Sequence, residues 1–173
     1  MYEVGDLVIY GNVGVCEVTE IKFLEYMENN QLYYLLTPLF QNCTISAPVE
    51  NKKVFMRPVI TKEEAERLIE KIPSIHAQAY HNNVLRQLTD HYEALLETHD
   101  CEALMEMMMS IYSKKRDCEA QKRKFGAIDD RFMKRAEELL FGELSVALGM
   151  TREKIADDIT SRISDQFLIA ANM

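Results

Sequence analysis

The chain has 173 residues, of which 47% are hydrophobic and 28% are charged, a composition typical of a globular protein with a sizeable core. Its 28 acidic side chains outnumber the 20 basic ones and give a net charge of −8. This charge excludes a protein that coats DNA indiscriminately, because non-specific affinity comes from neutralising phosphates. The sequence has neither a signal peptide pattern nor an apolar run long enough for a membrane span. It therefore predicts a cytoplasmic protein with no membrane contact.

The four cysteines are widely spaced along the chain, at Cys16, Cys43, Cys101 and Cys118. They form no CxxC motif, and no cysteine–histidine pair has the spacing of zinc ligands. We interpret them as reduced thiols that behave as small apolar side chains. The sequence thus predicts no metal site and no cofactor.

The first sixty residues have the pattern of short strands separated by turns. In the segment 15–21, Cys16 and Val18 alternate with Glu17 and Thr19, the period-2 sign of a half-buried strand. Four more segments are predicted as strands: 7–10, 32–36, 43–47 and 54–56. Residues 28–31 have turn chemistry between 23–27 and 32–36. Five strands in sixty residues predict a small β-barrel of the SH3 or Tudor kind.

From Thr61 the hydrophobic period changes from that of strands to that of helices. Thr61 and Glu64 form a predicted capping box, in which each side chain accepts a hydrogen bond from the other residue's backbone N–H. The helix that follows should end before Pro73, and residues 74–82 form an aperiodic connector.

Four further helices are predicted, which gives an α+β protein with a barrel at 1–60 and an all-α domain of about five helices at 61–173. The second begins near Val84, and Asp100 is the expected N-cap of the third. Acidic residues at 129–130 suit the start of the fourth, which Gly149 should end. Thr151 should cap the last.

No motif for catalysis is present: the sequence contains no phosphate-binding glycine loop, nucleophile elbow or zincin motif. The four histidines, at His76, His81, His91 and His99, lie along the connector and one predicted helix. No carboxylate or cysteine completes a ligand set with them, and we interpret them as surface residues. The sequence therefore predicts that the protein is not an enzyme and has no small-molecule substrate.

A methionine-rich run occupies residues 105–109 of the third helix. It could form an adaptable groove for a partner, since thioethers adjust their packing easily. Alternatively, Met105 and Met108 belong to the core while Met107 or Met109 is exposed. The second interpretation is favoured, because the helix needs positions 105 and 108 for its inner face.

Positive charge is concentrated between residues 114 and 124, with six basic and two acidic side chains and so a local net charge of +4. The basic residues are Lys114, Lys115, Arg116, Lys122, Arg123 and Lys124. This stretch could face phosphate groups, or it could be a solvated helix end that complements the helix dipole. The physical argument leaves both interpretations open.

GDLVIY at residues 5–10 and GVC at 14–16 form a motif at the start of the chain. This motif resembles the opening motif of the CarD/CdnL family of transcription regulators, which transcription–repair coupling factors share in their polymerase-interacting domain. RPVI at 57–60, IPSI at 72–75 and the helical segment 136–149 continue the similarity in the same order.

The resemblance implies a Tudor-like N-terminal domain that binds the β subunit of RNA polymerase through a barrel edge strand. Our candidate for this edge is uncharged and consists of Thr44, Ile45, Ser46 and Ala47, stopped by Pro48. Edge strands pair with strands of partner proteins through their backbone groups. Proline in place of Ile45 should abolish the interaction if the Ile45 N–H faces the partner.

The resemblance also implies that the helical domain approaches promoter DNA beside the melted region and stabilises the open complex. Many relatives carry a wedging tryptophan at the start of the second helix of this domain, whereas this chain has Leu85 there, followed by Arg86, and no tryptophan. Leu85 could be a wedge or a core residue. The expected contact is weak and independent of sequence, through Arg86 and the basic stretch 114–124. The alternative hypothesis is a protein-interaction adaptor that never contacts nucleic acid.

Overall fold

The computed structural model describes residues 1–50 and 53–172. It divides into two compact units, Met1–Ile60 and Thr61–Met173. The first consists of strands and the second of helices, which confirms the predicted α+β class. Among the described residues, no helix is both long and apolar enough to cross a membrane.

In the N-terminal unit, the described residues 1–50 and 53–60 form a five-stranded antiparallel sheet with the strand order β4-β3-β2-β1-β5. The strands are β1 (Leu7–Tyr10), β2 (Gly14–Phe23), β3 (Leu32–Pro38), β4 (Ile45–Pro48) and β5 (Met56–Pro58). This arrangement is consistent with a Tudor-like domain. The first strand is the predicted one. The fifth begins two residues later than the predicted 54–56, because only Met56, Arg57 and Pro58 pair with β1.

The long strand β2 connects the two halves of the sheet, pairing with β1 on one side and β3 on the other. The register against β3 shifts between Val18 and Glu20, which is a β-bulge, and a bulge bends its strand and increases the local twist. The tight β1–β2 turn depends on Gly11 and Gly14, whose φ angles are +46° and +99°. Glycine reaches these angles without the strain that a Cβ atom would cause.

The core of the N-terminal unit lies on one face of the sheet. Its fully buried members are Val8, Cys16, Val18, Tyr34, Leu36 and Ala47. Glu17 and Thr19 are less buried than the neighbouring Cys16 and Val18, which confirms the predicted alternation along this strand. Ala47 brings β4 into the same core, so the edge strand is anchored by its inner face.

The described residues of the C-terminal unit, 61–172, form five α-helices: α1 (Lys62–Glu70), α2 (Leu85–Leu96), α3 (Cys101–Ala120), α4 (Ala127–Leu148) and α5 (Arg152–Ala171). A short 3₁₀ turn at Ile72–Ser74 contains Pro73 and follows α1. Helix α4 is central, since it packs against the other four.

The predicted helix signals are confirmed. Glu64 N–H donates to the Thr61 hydroxyl at 3.1 Å, and Thr61 N–H donates to the Glu64 carboxylate at 2.7 Å, so the capping box is complete. Asp100 and Thr151 cap α3 and α5 through their side chains. Gly149 ends α4 in the left-handed conformation with φ of +64°.

The methionine-rich run of α3 lies inside the helical unit. Met105, Met107, Met108 and Met109 are each at most 1% exposed, so the expectation that Met107 or Met109 is exposed is wrong. Helix α3 packs against both α2 and α4, and contact on two sides requires more apolar positions than a single inner face does. These methionines belong to the core and do not line a surface groove.

The connector before α2 has no regular structure, yet side chains of the helices hold it at several points. The Ser110 hydroxyl donates to the Gln78 carbonyl at 2.6 Å, and the Gln166 amide donates to the Ile75 carbonyl at 2.8 Å. The Tyr80 ring stacks on His91 with 3.7 Å between centroids. Partial burial lowers the pKa of this histidine, which favours its neutral form.

Candidate functional site

Strand β4 forms one edge of the sheet. In the part of the chain that the structure describes, it pairs with β3 alone, with Leu35 opposite Ser46 and Leu36 opposite Ile45. Its inner side chain Ala47 is buried, whereas Ser46 points to the exposed face. The strand is thus held in place while one side of its backbone faces away from the sheet.

The hydrogen-bond alternation of an antiparallel pair determines which backbone groups of β4 face outward. Val49 N–H donates to the Leu32 carbonyl at 2.9 Å, so the residues at odd positions of β4 direct their backbone groups toward β3. The Leu35 carbonyl accepts from the Thr19 hydroxyl of β2 at 3.0 Å and so faces away from its cross-strand partner Ser46. The Ser46 N–H and carbonyl, and the Pro48 carbonyl, therefore point to the free side of the edge.

This geometry changes two details of the predicted edge. Thr44 precedes the strand, and Pro48 is its last residue, opposite Tyr33. Proline fits here because its missing N–H would have pointed away from β3. The Ile45 N–H points toward β3, so the condition under which proline at position 45 would abolish the interaction is not met. The donor that a partner strand would meet is Ser46.

The surroundings of β4 suit a protein partner. Residues 39–49 contain no charged side chain, and charges are the usual protection of an edge against pairing. Leu39 and Phe40 are exposed between β3 and β4. The opposite edge, β5, is only three residues long, and the same alternation directs Pro58 outward, where it offers no N–H. Of the two edges, β4 is the better template for backbone pairing.

In the helical unit, most of the predicted phosphate contacts are exposed. Arg86, Lys115, Lys122, Arg123 and Lys124 lie on the surface. Arg116 is only half-exposed, since its guanidinium lies 5.4 Å from the Phe167 ring centroid of α5.

Lys114 differs from the expectation of a phosphate contact, because it is only 8% exposed. Its ammonium donates to Asp129 at 3.0 Å, and the Tyr92 hydroxyl donates to the same carboxylate oxygen at 2.6 Å. This buried trio connects α2, α3 and α4. Position 114 lies on the inner face of α3 together with Ile111 and Cys118, so helical periodicity directs its side chain into the bundle.

Leu85, the first residue of α2, is 64% exposed, and the preceding Val84 is 51% exposed. The interpretation of Leu85 as a core residue is therefore wrong. Leu88, one turn later, takes the buried position. An exposed leucine at the tip of a helix is available for contact with a partner.

The structure brings Leu85 close to part of the basic stretch. A concavity of about 400 Å³ opens between the start of α2, the α3–α4 loop and the start of α4. Its lining includes Leu85, Lys114, Arg123 and Lys124. Arg86, Lys115, Arg116 and Lys122 do not line it, so the predicted DNA-contact residues separate into a group around the concavity and a group outside it.

The end of α3 explains why Arg123 and Lys124 reach this concavity. Arg123 N–H donates to the Cys118 carbonyl at 2.8 Å and Lys122 N–H to the Glu119 carbonyl at 3.2 Å, which is the Schellman pattern. Lys122 takes the left-handed position with φ of +53°, a position that usually holds glycine. The chain reverses here, and the two following side chains turn back toward α2.

The comparison with protein families concerns the N-terminal unit. Residues 2–60 match the family model described as CarD-like/TRCF RID domain. The N-terminal unit is a CarD-like/TRCF RID domain. A RID domain interacts with RNA polymerase, which makes the polymerase the partner of this unit and the protein a polymerase-binding transcription factor. The match ends at residue 60, where the helical unit begins.

Sequence reasoning missed the Tyr92–Lys114–Asp129 trio of the helical unit. Asp129 was interpreted through the helix dipole alone, and Lys114 through its place in a basic stretch. One signal was available: position 129 lies three residues before Phe132 and seven before Ala136, on the inner face of α4. A carboxylate on an inner face needs a buried partner, and the basic stretch contained one.

The cysteines of the two units have different surroundings. Cys43, in the loop before β4 of the RID domain, is exposed, whereas Cys16, Cys101 and Cys118 are buried. Burial raises the pKa of the Cys16 thiol to about 11, with a smaller contribution from the charge of Cys43. The Cys101 thiol donates to the buried Glu143 carboxylate at 3.0 Å. Among the described residues, no group of three or more histidine, cysteine or acidic side chains is arranged to hold a metal ion.

Proposed function

We propose that this protein regulates transcription initiation by pairing the β4 edge of its RID domain with a strand of the RNA polymerase β subunit. The observation that carries the proposal is the outward Ser46 N–H and carbonyl on an uncharged edge strand. Backbone pairing supplies affinity, and exposed apolar residues beside it, such as Leu39 and Phe40, supply contact area. The protein acts by binding and not by catalysis.

The experiment compares three variants of the full chain for capture of the purified β subunit. Ser46→Pro removes the outward donor and should weaken binding at least about tenfold, since a lost hydrogen bond and an unsatisfied partner carbonyl together exceed 1.4 kcal/mol. Ser46→Ala keeps the N–H and should bind as the unchanged chain does. Ile45→Pro removes an inward N–H and should instead lower the melting temperature.

Equal binding by Ser46→Pro and Ser46→Ala, with both variants folded, would exclude β4 as the binding edge. Melting curves of all three variants separate loss of binding from loss of folding. Because Ser46 is exposed and its N–H points away from β3, we expect Ser46→Pro to melt close to the unchanged chain.

We further propose that the helical unit modulates the stability of the open promoter complex through weak contact with DNA. Arg86 and the exposed basic residues of 114–124 support this proposal, together with the exposed Leu85. Binding to polymerase would raise the local concentration of this surface at the promoter, so a weak contact suffices. A chain with net charge −8 would not reach DNA efficiently by itself.

Replacing Lys122, Arg123 and Lys124 together by alanine tests the DNA contact. The open complex should dissociate faster, while binding to polymerase stays the same. Three lost phosphate contacts on duplex DNA should also reduce the slope of log K against log salt by about 3. An unchanged lifetime, both here and in Arg86→Ala, would favour an adaptor that contacts no nucleic acid.

A further inference from the structure

The concavity beside Leu85 has features of a binding site that general DNA attraction does not require. It is formed by two stretches that are distant in sequence: residues 81–88 around the start of α2, and residues 114–129 from the end of α3 to the first turn of α4. Its volume of about 400 Å³ lies in the range of small-ligand sites. A phosphate contact on a flat surface would need no such concavity.

The charge of the lining favours an anion. Lys114 and Asp129 compensate each other at the buried floor, where they are 3.0 Å apart. Arg123 and Lys124 are exposed on the rim, so the described lining has three cations, one carboxylate and a net charge of +2. Two adjacent, exposed cations are suited to one phosphate group.

The buried floor of the concavity is tightly packed around Asp129. Asp129 lies so close to Gly126 that a Cβ atom there would be 2.9 Å from the carboxylate oxygen. Glycine therefore leaves the room that Asp129 needs to reach both Tyr92 and Lys114. This trio joins α2, α3 and α4 through direct contacts at the floor of the concavity.

The remaining lining suits a planar base. Leu85 offers an exposed aliphatic surface in the lining, to which the buried Leu88, one helical turn later, also belongs. Asn83, which is also exposed, lines the same opening, and its amide can both donate and accept hydrogen bonds. Proteins hold unstacked bases in this way, between apolar side chains and groups that bond to the base edge.

We infer that this concavity binds a single nucleotide, with its phosphate on Arg123 and Lys124 and its base against Leu85 and Asn83. Such a nucleotide has two sources: an unpaired residue of melted promoter DNA, or a free nucleotide. The first source deepens the proposed function and rests on it, whereas the second is independent of it.

Fluorescence anisotropy with the full chain tests the inference. The probes are a labelled short oligothymidine and a labelled blunt duplex, with ADP as a competitor. The single strand should bind more tightly than the duplex, because a paired and stacked base cannot enter the concavity. If ADP displaces the labelled oligothymidine, the concavity binds free nucleotides. If the oligothymidine stays bound in excess ADP, the concavity binds melted DNA.

Two charge-matched double variants distinguish binding in the concavity from non-specific electrostatic binding to the surface. Arg123→Ala with Lys124→Ala removes two cations that line it, and Lys62→Ala with Arg67→Ala removes one lysine and one arginine of α1 that do not. The first pair should weaken oligothymidine binding about tenfold or more, the loss expected for a charge-assisted contact. The second pair should change it no more than about twofold. All four side chains are exposed, so both variants should fold.

Equal weakening by the two pairs, tighter binding of the duplex, or no binding of either oligothymidine or ADP would each overturn the inference. The assay contains no polymerase, so failure here leaves β4 pairing untouched. Conversely, if the unchanged chain fails to capture the β subunit but still binds oligothymidine, the proposed function fails and the nucleotide site stands.

Discussion

The two units of this protein present candidate sites of opposite kinds. In the RID domain the candidate groups are backbone donors and acceptors on the outer side of β4, of which Ser46 is the central residue. In the helical unit they are side chains from segments about forty residues apart, such as Leu85 and Arg123. A backbone site persists through many side-chain changes, whereas a side-chain site depends on the identity of each member.

The cores of the two units also differ in their chemical character. The buried cluster of the sheet consists of apolar side chains, a cysteine and Tyr34, whose ring is edge-on to Tyr2 at 5.9 Å. The helical core additionally buries charge, since Lys114 and Asp129 are only 8% and 4% exposed. We expect changes at these charged positions to have larger effects than most changes elsewhere.

The largest predicted effect is that of Asp129→Ala. This variant leaves the Lys114 ammonium buried without its counter-charge and removes the acceptor of Tyr92, which should cost about 3–5 kcal/mol of unfolding free energy. Urea unfolding followed by helical circular dichroism measures it. The control is Asp130→Ala, whose partner Lys134 is exposed, and it should cost less than about 1 kcal/mol. Similar losses in the two variants would contradict the importance of the buried trio.

The second prediction concerns the RID domain at alkaline pH. The folded state raises the pKa of Cys16 from its ordinary 9.0 to about 11, so the neutral thiol stabilises the fold fully below pH 9. This contribution, on the order of 2 kcal/mol, is lost as the pH rises through 11. Cys16→Ala should therefore flatten the decline of unfolding free energy above pH 9. Cys43→Ala, at an exposed thiol, should alter the decline much less, because Cys43 contributes less than burial does to the raised pKa of Cys16. An identical decline in all three chains would refute the assignment of this pH dependence to Cys16.

A smaller effect is predicted at Thr61, where the helical unit begins. Thr61→Ala removes the hydroxyl that accepts from Glu64 N–H, and loss of such a cap should cost about 1 kcal/mol. Thr61→Ser keeps the acceptor and should cost much less. Chemical denaturation of the three chains gives the comparison. If serine and alanine are equally destabilising, the capping box does not determine where the helical unit starts.

The smallest predicted effect is a gain in stability. Lys122 has φ of +53° at the end of α3, and Lys122→Gly should raise the unfolding free energy by up to about 1 kcal/mol by relieving this strain. Lys122→Ala removes the same charge but keeps a Cβ atom, so it should give no such gain. Thermal melts of both variants measure the two stabilities. They test the left-handed conformation of Lys122, where the chain reverses and brings Arg123 and Lys124 to the concavity.

Local signals in the sequence determined most of the architecture. The period-2 alternation around Cys16 and Val18, the capping box at Thr61 and the glycine at 149 each act within a few residues, so they could be interpreted without knowing the fold. The opening motif GDLVIY likewise identified the RID domain. The strand 43–47 was placed one to two residues too early, because pairing with β3 and not composition decides where β4 begins.

Tertiary structure alone decided what each candidate residue does. The inward Ile45 N–H and outward Ser46 N–H follow from the register against β3, and a shift of one residue would exchange them. The partnership of Lys114 with Asp129 and Tyr92 joins residues from three helices. Leu85 of α2 and Arg123 of the α3–α4 loop likewise meet around one concavity only in the tertiary structure. Sequence periodicity gives the face of a helix on which a side chain lies, but only the packing of helices gives the group that it faces.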